Sequence, residues 1–387
     1  MPVRVINRGM KQQGLPSWWP LSVSIPYTMA EVRKASSACL FTVASTFSGC
    51  GGSSTGYRLA GGKVLAVNEF VQAARDSYSA NYPDVTILPA DIRDITGKDL
   101  CEAAGVRKGE LDILDGSPPC ASFSTAGSRE KAWGKSKKYS DTEQRCDDLF
   151  FEFARVLREA QPRCFVAENV KGLTIGIAKN VLGNRRRGFA DDLGLPPTVY
   201  SELQQCGYVI AHAVLNAADY GVPQMRRRVI FIGVRKDLNI APTHPLPTVS
   251  RYVSVREAIV GVVNKPTDFF PLPTKGTVAL RLLCACKPGH SCDEYHPKGF
   301  FFQFSRLEGD IPSPTIVASG PQYHFMWNED RYLSIAECKR ICAFPDDFIL
   351  TGNQRQRWER MGRAVPPLMM KAIAEHVYKT VLMKTRT

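Results

Sequence analysis

From residue 38 onward, short apolar runs alternate with amphipathic stretches. ACLFTVASTF, KVLAVNEF, VTILPAD, LDILDG, CFVAENV and RVIFIGV read as strands. Between them VQAARDSYSANY, KDLCEAAG, CDDLFFEFARVLREAQ and YSELQQCGY read as helices. The third helix carries the clearest period, with Leu149, Phe150, Phe153, Val156 and Leu157 on one face. Strands alternating with helices predict an α/β fold whose mostly parallel sheet is covered on both faces. The alternation stops near Arg235. Residues 236–329 are rich in proline and aromatics at irregular spacing and predict a second, smaller domain. Helical patterns return in SIAECKRICAF and PLMMKAIAEHVYKTVLMK, so residues 330–387 are expected to rejoin a catalytic domain formed by 38–235. Residues 1–37 show no period and are expected to form an N-terminal arm.

Composition narrows the class. A 387-residue chain with 44% apolar residues can bury a substantial core in one large or two medium domains. No apolar run is long enough for a membrane helix, and the first apolar stretch, WWPLSVSIPY, is broken by prolines and is not a signal peptide. Twelve scattered cysteines fit reduced thiols in a cytoplasm better than a disulfide scaffold. The formal net charge of +13 suits a polyanionic partner, nucleic acid first, though a merely basic protein would carry it equally well.

Two loops carry candidate chemistry. LDILDGSPPCASFS places Cys120 directly after two prolines at the end of a strand-like run. Prolines do not continue a central strand, so the chain leaves the sheet just before Cys120, where α/β folds bind ligands. A rigid turn there suits a nucleophile, and a structural turn would look the same. FSGCGGSSTGY follows the first strand and opens a helix, and Gly49, Gly51 and Gly52 allow close backbone approach to a ligand. The loop lacks the lysine of a P-loop and departs from the dinucleotide fingerprint. Glu69 and Asp91 end the next two strands. They could accept ribose hydroxyls and an adenine amine, with Phe70 stacking on the ring, a set that suits an adenosine ligand without phosphates.

FSGCGG, GSPPC, AENV, QMRRR and MGRAVPP stand in this order along the chain. Together they resemble the DNA cytosine-5 methyltransferase family of the bacterial or phage type, over roughly residues 38–380. The resemblance implies a Rossmann-like, S-adenosylmethionine-dependent methyltransferase domain with a smaller target-recognition domain. It implies methyl transfer to carbon 5 of a cytosine flipped out of duplex DNA, through a covalent Cys120 adduct. Cys120, Glu168, Arg226 and Arg228 then match the catalytic positions, and Pro119 and Asn169 orient them. Phe47, Ser48, Gly49, Gly51, Gly52, Glu69, Phe70, Asp91, Ile92, Leu149, Arg363, Ala364 and Val365 match the cofactor pocket. Residues 124–145 are expected to form a basic, mobile loop that closes over DNA.

Three positions depart from the family pattern: Ser45 where aspartate is common, Ala121 where glutamine is usual, and Arg363 where asparagine is usual. Arg363 raises two expectations. It could pair with a nearby carboxylate or DNA phosphate, or with a carboxylate on the transferred group, which would make the cofactor carboxy-S-adenosylmethionine. A transfer-RNA substrate is the rival to duplex DNA. Cys284, Cys286, His290 and Cys292 match no common zinc finger, and no metal is expected. The protein is expected to be monomeric, cytoplasmic in a bacterium and associated with the nucleoid.

Overall fold

The structure, a computed structural model, describes residues 24–118, 136–139, 142–145, 148–170, 197–299 and 304–385. Helix α1 (Met29–Ser36) opens on a capping box: the Thr28 hydroxyl accepts the Glu31 N–H, and the Glu31 carboxylate accepts that of Thr28. Met29 and Val32 are buried in the main core, and the Tyr27 hydroxyl donates to the Ala343 carbonyl at 2.6 Å. The described part of the expected N-terminal arm is therefore packed on the body of the protein, and residues 1–23 lie outside the described residues.

The predicted alternation follows: β1 (Phe41–Thr46), α2 (Gly52–Leu59), β2 (Gly62–Asn68), α3 (Gln72–Asn81), β3 (Thr86–Leu88), α4 (Gly97–Ala103) and β4 (Ile113–Gly116). Strands β5 (Ser136–Tyr139) and β6 (Thr142–Arg145) pair as an antiparallel hairpin inside the stretch expected to be loop. Then come α5 (Leu149–Ala160), β7 (Cys164–Val170), α6 (Pro197–Gln205), β8 (Tyr208–Asn216), β9 (Gln224–Met225) and β10 (Arg227–Arg235).

One seven-stranded sheet has the order β3-β2-β1-β4-β7-β10-β8. It is mixed: β10 runs antiparallel to both neighbours, while the remaining paired strands are parallel. The reason lies in the connection. Only residues 217–226 separate β8 from β10, too few for a crossover helix, so the chain must turn back antiparallel. Strand β8 is the element the hydrophobic pattern misses. It is an edge strand whose middle is half-buried and whose Val209 is exposed, so its apolar signal is weak.

Strand residues alternate between two cores. Val43, Cys164, Val166, Ile230 and Ile232 face one, while Ala44, Phe165, Ala167, Val229 and Phe231 face the other. Burial on both faces is why these strands read as continuous apolar runs. The buried face of α5 contains Leu149, Phe150, Phe153, Val156 and Leu157, as its period predicts.

Beyond β10 lie α7 (Val255–Ile259) and α8 (Val278–Ala285), then β11 (Ser313–Pro314). Leu282, Leu283, Cys286, Cys292, Phe325 and Tyr332 form a separate small core. Within 236–329, expected to form the smaller domain, the stretch 312–319 returns to the main body: β11 pairs in parallel with β9, and Ile316 lies in the main core. Helices α9 (Ile335–Ile341), α10 (Gln354–Arg363) and α11 (Pro367–Thr380) complete the fold, with α11 packed on α2. Helix α10 went unpredicted, although Asn353 and Gln356 form a capping box at its start. Among the described residues no helix is long and apolar enough to cross a membrane.

Candidate active site

The strand order reverses between β1 and β4, so the loops leaving these two strands diverge around a crevice at their carboxyl ends. The loop after β1 is shaped by backbone that ordinary residues avoid. Gly49 has φ +56° and Gly51, the N-cap of α2, has φ +101°. Phe47 adopts φ +54°, a strained conformation for an aromatic residue and one that concentrates at ligand sites. Gly52 meets the far wall closely: a Cβ there would lie 2.4 Å from the Val365 carbonyl oxygen.

These elements line a cleft of about 820 Å³ of empty space, the open solvent at its mouth included. Phe47, Ser48, Gly49 and Gly52 line it from the glycine loop, and Glu69, Phe70 and Ile92 from the ends of β2 and β3. Arg363, Ala364 and Val365 line it from the end of α10. Of the residues expected to bind cofactor, Gly51, Asp91 and Leu149 do not line the cleft. Asp91 instead pairs with Arg93 at 2.9 Å, Leu149 lies in the core, and Gly51 backs onto Tyr82 and Tyr78. Cys50, Ser53, Asn68, Val71, Ser117 and Arg360 also line the cleft, and sequence reading missed them.

Glu69 anchors the loop. Its carboxylate accepts the Gly49 N–H at 2.7 Å and the Val71 N–H at 2.8 Å. Burial pushes its pKa up, and these two N–H groups oppose the shift. Behind the opposite wall, on α10, Glu359 accepts from Arg363 Nε at 2.9 Å and lies 3.2 Å from an Arg360 nitrogen. The charge of Arg363 is thus matched by a carboxylate one helical turn away, the first of the two expectations for this residue. Ser48 Oγ and Ser117 Oγ are buried in the lining without a hydrogen-bond partner among the described residues. Buried hydroxyls are normally satisfied, so a polar ligand fits this cleft.

The chain leaving β4 links the cleft to a second group of polar side chains. Ser117 lines the cleft, and the next carbonyl, of Pro118, accepts from Asn169 Nδ2 at 3.3 Å. Pro119 and Cys120 lie outside the described residues, as does Ala121. Glu168 on β7 and Arg228 on β10 come from adjacent antiparallel strands. Arg228 pairs directly with Val170, so Glu168, two residues along, shares its face. Arg228 Nε lies 2.8 Å from Glu168 Oε1, with both side chains largely buried. Burial lowers the Arg228 pKa, and the Glu168 charge holds it up.

Arg226, expected among the catalytic residues, sits elsewhere. Its guanidinium donates to the carbonyls of Ile316 and Gly362, each at 3.2 Å, and so braces β9, the 313–317 segment and α10 together. Burial, then the nearby Arg228, lowers its pKa to about 9. Among the described residues no group of three or more histidine, cysteine or acidic side chains could hold a metal ion. Cys286 and Cys292 are buried in the small core, Cys284 is exposed, and His290 Nδ1 bonds Glu294 at 2.6 Å.

Asp115 on β4 is a buried carboxyl beneath the glycine loop. It accepts from Ser45 Oγ at 2.6 Å and from the Tyr57 hydroxyl at 3.1 Å. Burial pushes its pKa up to about 7; Ser45, Tyr57 and Ser53 oppose this, and the Glu168 charge adds to it. In the unfolded chain the group ionises near pH 3.9. Between these values the folded state holds the extra proton, so stability falls as pH rises, by up to about 1.4 kcal/mol per unit. Asp115→Asn cannot ionise. Its melting temperature relative to wild type should climb from pH 5 to pH 7 and level off above, and a pH-independent difference would refute the assignment.

Comparison with known proteins places the whole arrangement. A profile of the C-5 cytosine-specific DNA methylase family matches residues 41–275 and 293–379. The Type II methyltransferase M1.HphI of Haemophilus parahaemolyticus is 32% identical over 358 residues, covering 87% of each chain. M.XorII of Xanthomonas oryzae is 35% identical over 391 residues, covering 87% of this chain and 84% of that protein. A solved DNA modification methyltransferase from an E. coli prophage shares the fold with a TM-score of 0.65 at 20% identity, covering 88% of this chain and 99% of its own. Spodoptera frugiperda DNMT2 aligns with a TM-score of 0.59 at 16% identity, over 87% of this chain and 99% of its own. With its glycine-loop cleft and the Glu168–Arg228 pair beside the β4 exit, the chain belongs to the C-5 cytosine-specific DNA methylase family.

Proposed function

We propose that this S-adenosylmethionine-dependent DNA cytosine-5 methyltransferase works through a covalent adduct of Cys120, with Glu168 and Arg228 holding the flipped base. The observation that carries the reading is the Glu168–Arg228 pair, set on neighbouring strands next to the strand that leads to Cys120. The Cys120 thiolate adds to carbon 6 of cytosine, which pushes electron density onto carbon 5. The Glu168 carboxyl group contacts ring N3 and the exocyclic amine, and Arg228 contacts the ring carbonyl oxygen, where negative charge develops. S-adenosylmethionine, when bound, would supply an electrophilic sulfonium methyl to carbon 5, with the S–CH3 bond breaking to release S-adenosylhomocysteine. A base then removes the carbon-5 proton, and the ring expels the thiolate of Cys120. Arg226 supports the pair from behind by bracing the strand that carries Arg228.

The cleft fits the cofactor: Glu69, Phe70 and Ile92 surround the adenosine end, and Ser48, Ser117 and Arg363 serve the amino-acid end. Asp91, Leu149 and Gly51 shape this pocket from outside its lining. The Glu359 partner of Arg363 favours ordinary S-adenosylmethionine over the carboxy form. Residues 236–329 choose the DNA site; most of the small second core comes from them. The protein acts as a monomer on duplex DNA in the bacterial cytoplasm, at the nucleoid.

The test incubates purified protein with duplex DNA, or with transfer RNA, and isotope-labelled S-adenosylmethionine, and locates 5-methylcytosine by bisulfite sequencing. Label in transfer RNA alone would overturn the DNA reading. Competition between the two cofactors, with the product weighed by mass spectrometry, addresses Arg363. Wild type and Arg363→Asn should both yield 5-methylcytosine with cofactor preference changed by less than about threefold. A carboxymethylated product from wild type only would reverse the conclusion about Arg363.

A further inference from the structure

Ser45 stands where the family pattern commonly has aspartate, at the end of β1 that feeds the glycine loop. In the sheet Ser45 pairs in register with Asp115 of β4. The two side chains meet at 2.6 Å, with the Ser45 hydroxyl donating to Asp115 Oδ2. Both residues are buried, at 0% and 1% exposure. The other carboxylate oxygen accepts from the hydroxyl of Tyr57, in the middle of α2. The Ser53 hydroxyl, in the first turn of α2 and in the cleft lining, also stabilises the charge. The carboxyl group therefore touches the strand before the glycine loop and the helix after it. It projects from the strand whose next residues, Gly116 and Ser117, lead to the cleft and then to Cys120.

We propose that Asp115 is a positioning residue that takes over, from the neighbouring strand, the place of the carboxylate missing at position 45, and holds the glycine loop in register with the strand that carries the nucleophile. The geometry makes this a transfer across one strand pair. Directly paired residues of neighbouring strands that project to the same face bring their side chains together, so a carboxylate on one and a hydroxyl on the other can be exchanged with little displacement of the charge. Tyr57 and Ser53 are donors from a third element and would meet the carboxylate from either side. A buried carboxylate bonded to several hydroxyls fixes the segments that carry them, because freeing any one leaves a buried polar group unsatisfied. Neither Asp115 nor Ser45 lines the cleft, so the effect on ligand binding is indirect, through the loop.

The proposal rests on the cofactor reading of the cleft, and the experiment separates the two. The probe is S-adenosylhomocysteine, titrated calorimetrically into wild type, Asp115→Asn, Asp115→Ser and the exchanged protein Ser45→Asp with Asp115→Ser. Wild type should bind. Asp115→Ser should bind at least about tenfold more weakly, and the exchange should recover affinity to within about threefold of wild type. In turnover the loss should appear in KM for the cofactor, with KM for DNA unchanged. Asp115→Asn keeps the shape of the side chain and remains folded if Asp115→Ser does not; its affinity should fall about threefold to tenfold. Absence of binding by wild type would overturn the cofactor reading and the strut with it. Wild-type binding with no loss in Asp115→Asn or Asp115→Ser would overturn the strut alone. So would an exchanged protein that binds no better than Asp115→Ser.

Discussion

Cys120→Ala should lower methyl transfer by about 10⁴-fold or more, the order seen when a covalent nucleophile is removed, while leaving S-adenosylhomocysteine affinity within about threefold of wild type. The separation follows from the fold. The glycine loop leaves β1 and the GSPPC segment leaves β4; the two strands are paired, but their exits diverge at the crevice, so the two functions sit on different loops. Ser117, three residues before the nucleophile, reaches the cleft lining. DNA carrying 5-fluorocytosine at the target should trap wild type as a covalent complex, because the proton that must leave carbon 5 is replaced by fluorine and the thiolate cannot be expelled. Cys120→Ala should form none. A covalent complex with the alanine variant, seen as a shifted band under denaturing conditions, would move the nucleophile to another residue.

Removing the charge of Glu168 should be costly in two ways that can be measured apart. In Glu168→Gln the turnover rate should fall by about 10²- to 10⁴-fold, the usual range for a positioned acid or base. Stability should fall as well, because Arg228 would keep its charge in a nearly enclosed site with no carboxylate 2.8 Å away. Breaking one half of such a pair costs about 3–5 kcal/mol when burial is complete, and the residual exposure of both side chains argues for the lower end. Replacing both charges, as Glu168→Gln with Arg228→Met, should recover most of that stability, because no unpaired ion remains. It should recover none of the activity. Urea melts and single-turnover rates for the four proteins of this cycle give the two couplings separately. If the double variant is as unstable as the sum of the single ones, the pair is not energetically coupled and the assignment of Arg228 to the base pocket loses its support.

How much of this was legible beforehand depended on whether a property is local. The strands of the central sheet are buried on both faces, so each is a run of apolar residues between polar stretches, and the runs are visible without coordinates. The nucleophile and glycine loops were visible because proline and glycine mark the places where the chain must leave a strand. Helix α5 announced its buried face through its period. The family followed from the order of five short motifs, which is itself a property of the linear chain.

What the linear pattern left open is what depends on neighbours distant in sequence. Edge strand β8 has one weak face, and its partner β10 runs antiparallel only because the connection between them is short. Arg226 and Arg228 are two residues apart in one motif. Yet one is turned to the carbonyls of Ile316 and Gly362 and the other to Glu168, because different segments pack above the two positions. Asp91 looked like a cofactor ligand from its place after a strand, but it pairs with Arg93, whose guanidinium also donates to Asp148 just before α5. Arg363 has its carboxylate on the same helix, yet that pair bears on the cofactor only because α10 packs its end against the glycine loop. Ser45 looked like a loss until β4 was placed beside β1 and brought Asp115 to the same spot. Alternation, turns and motif order are set by the covalent chain and were readable from it. Charge partners are set by which strands and helices become neighbours when two apolar cores close on one sheet, and that only the tertiary structure decided.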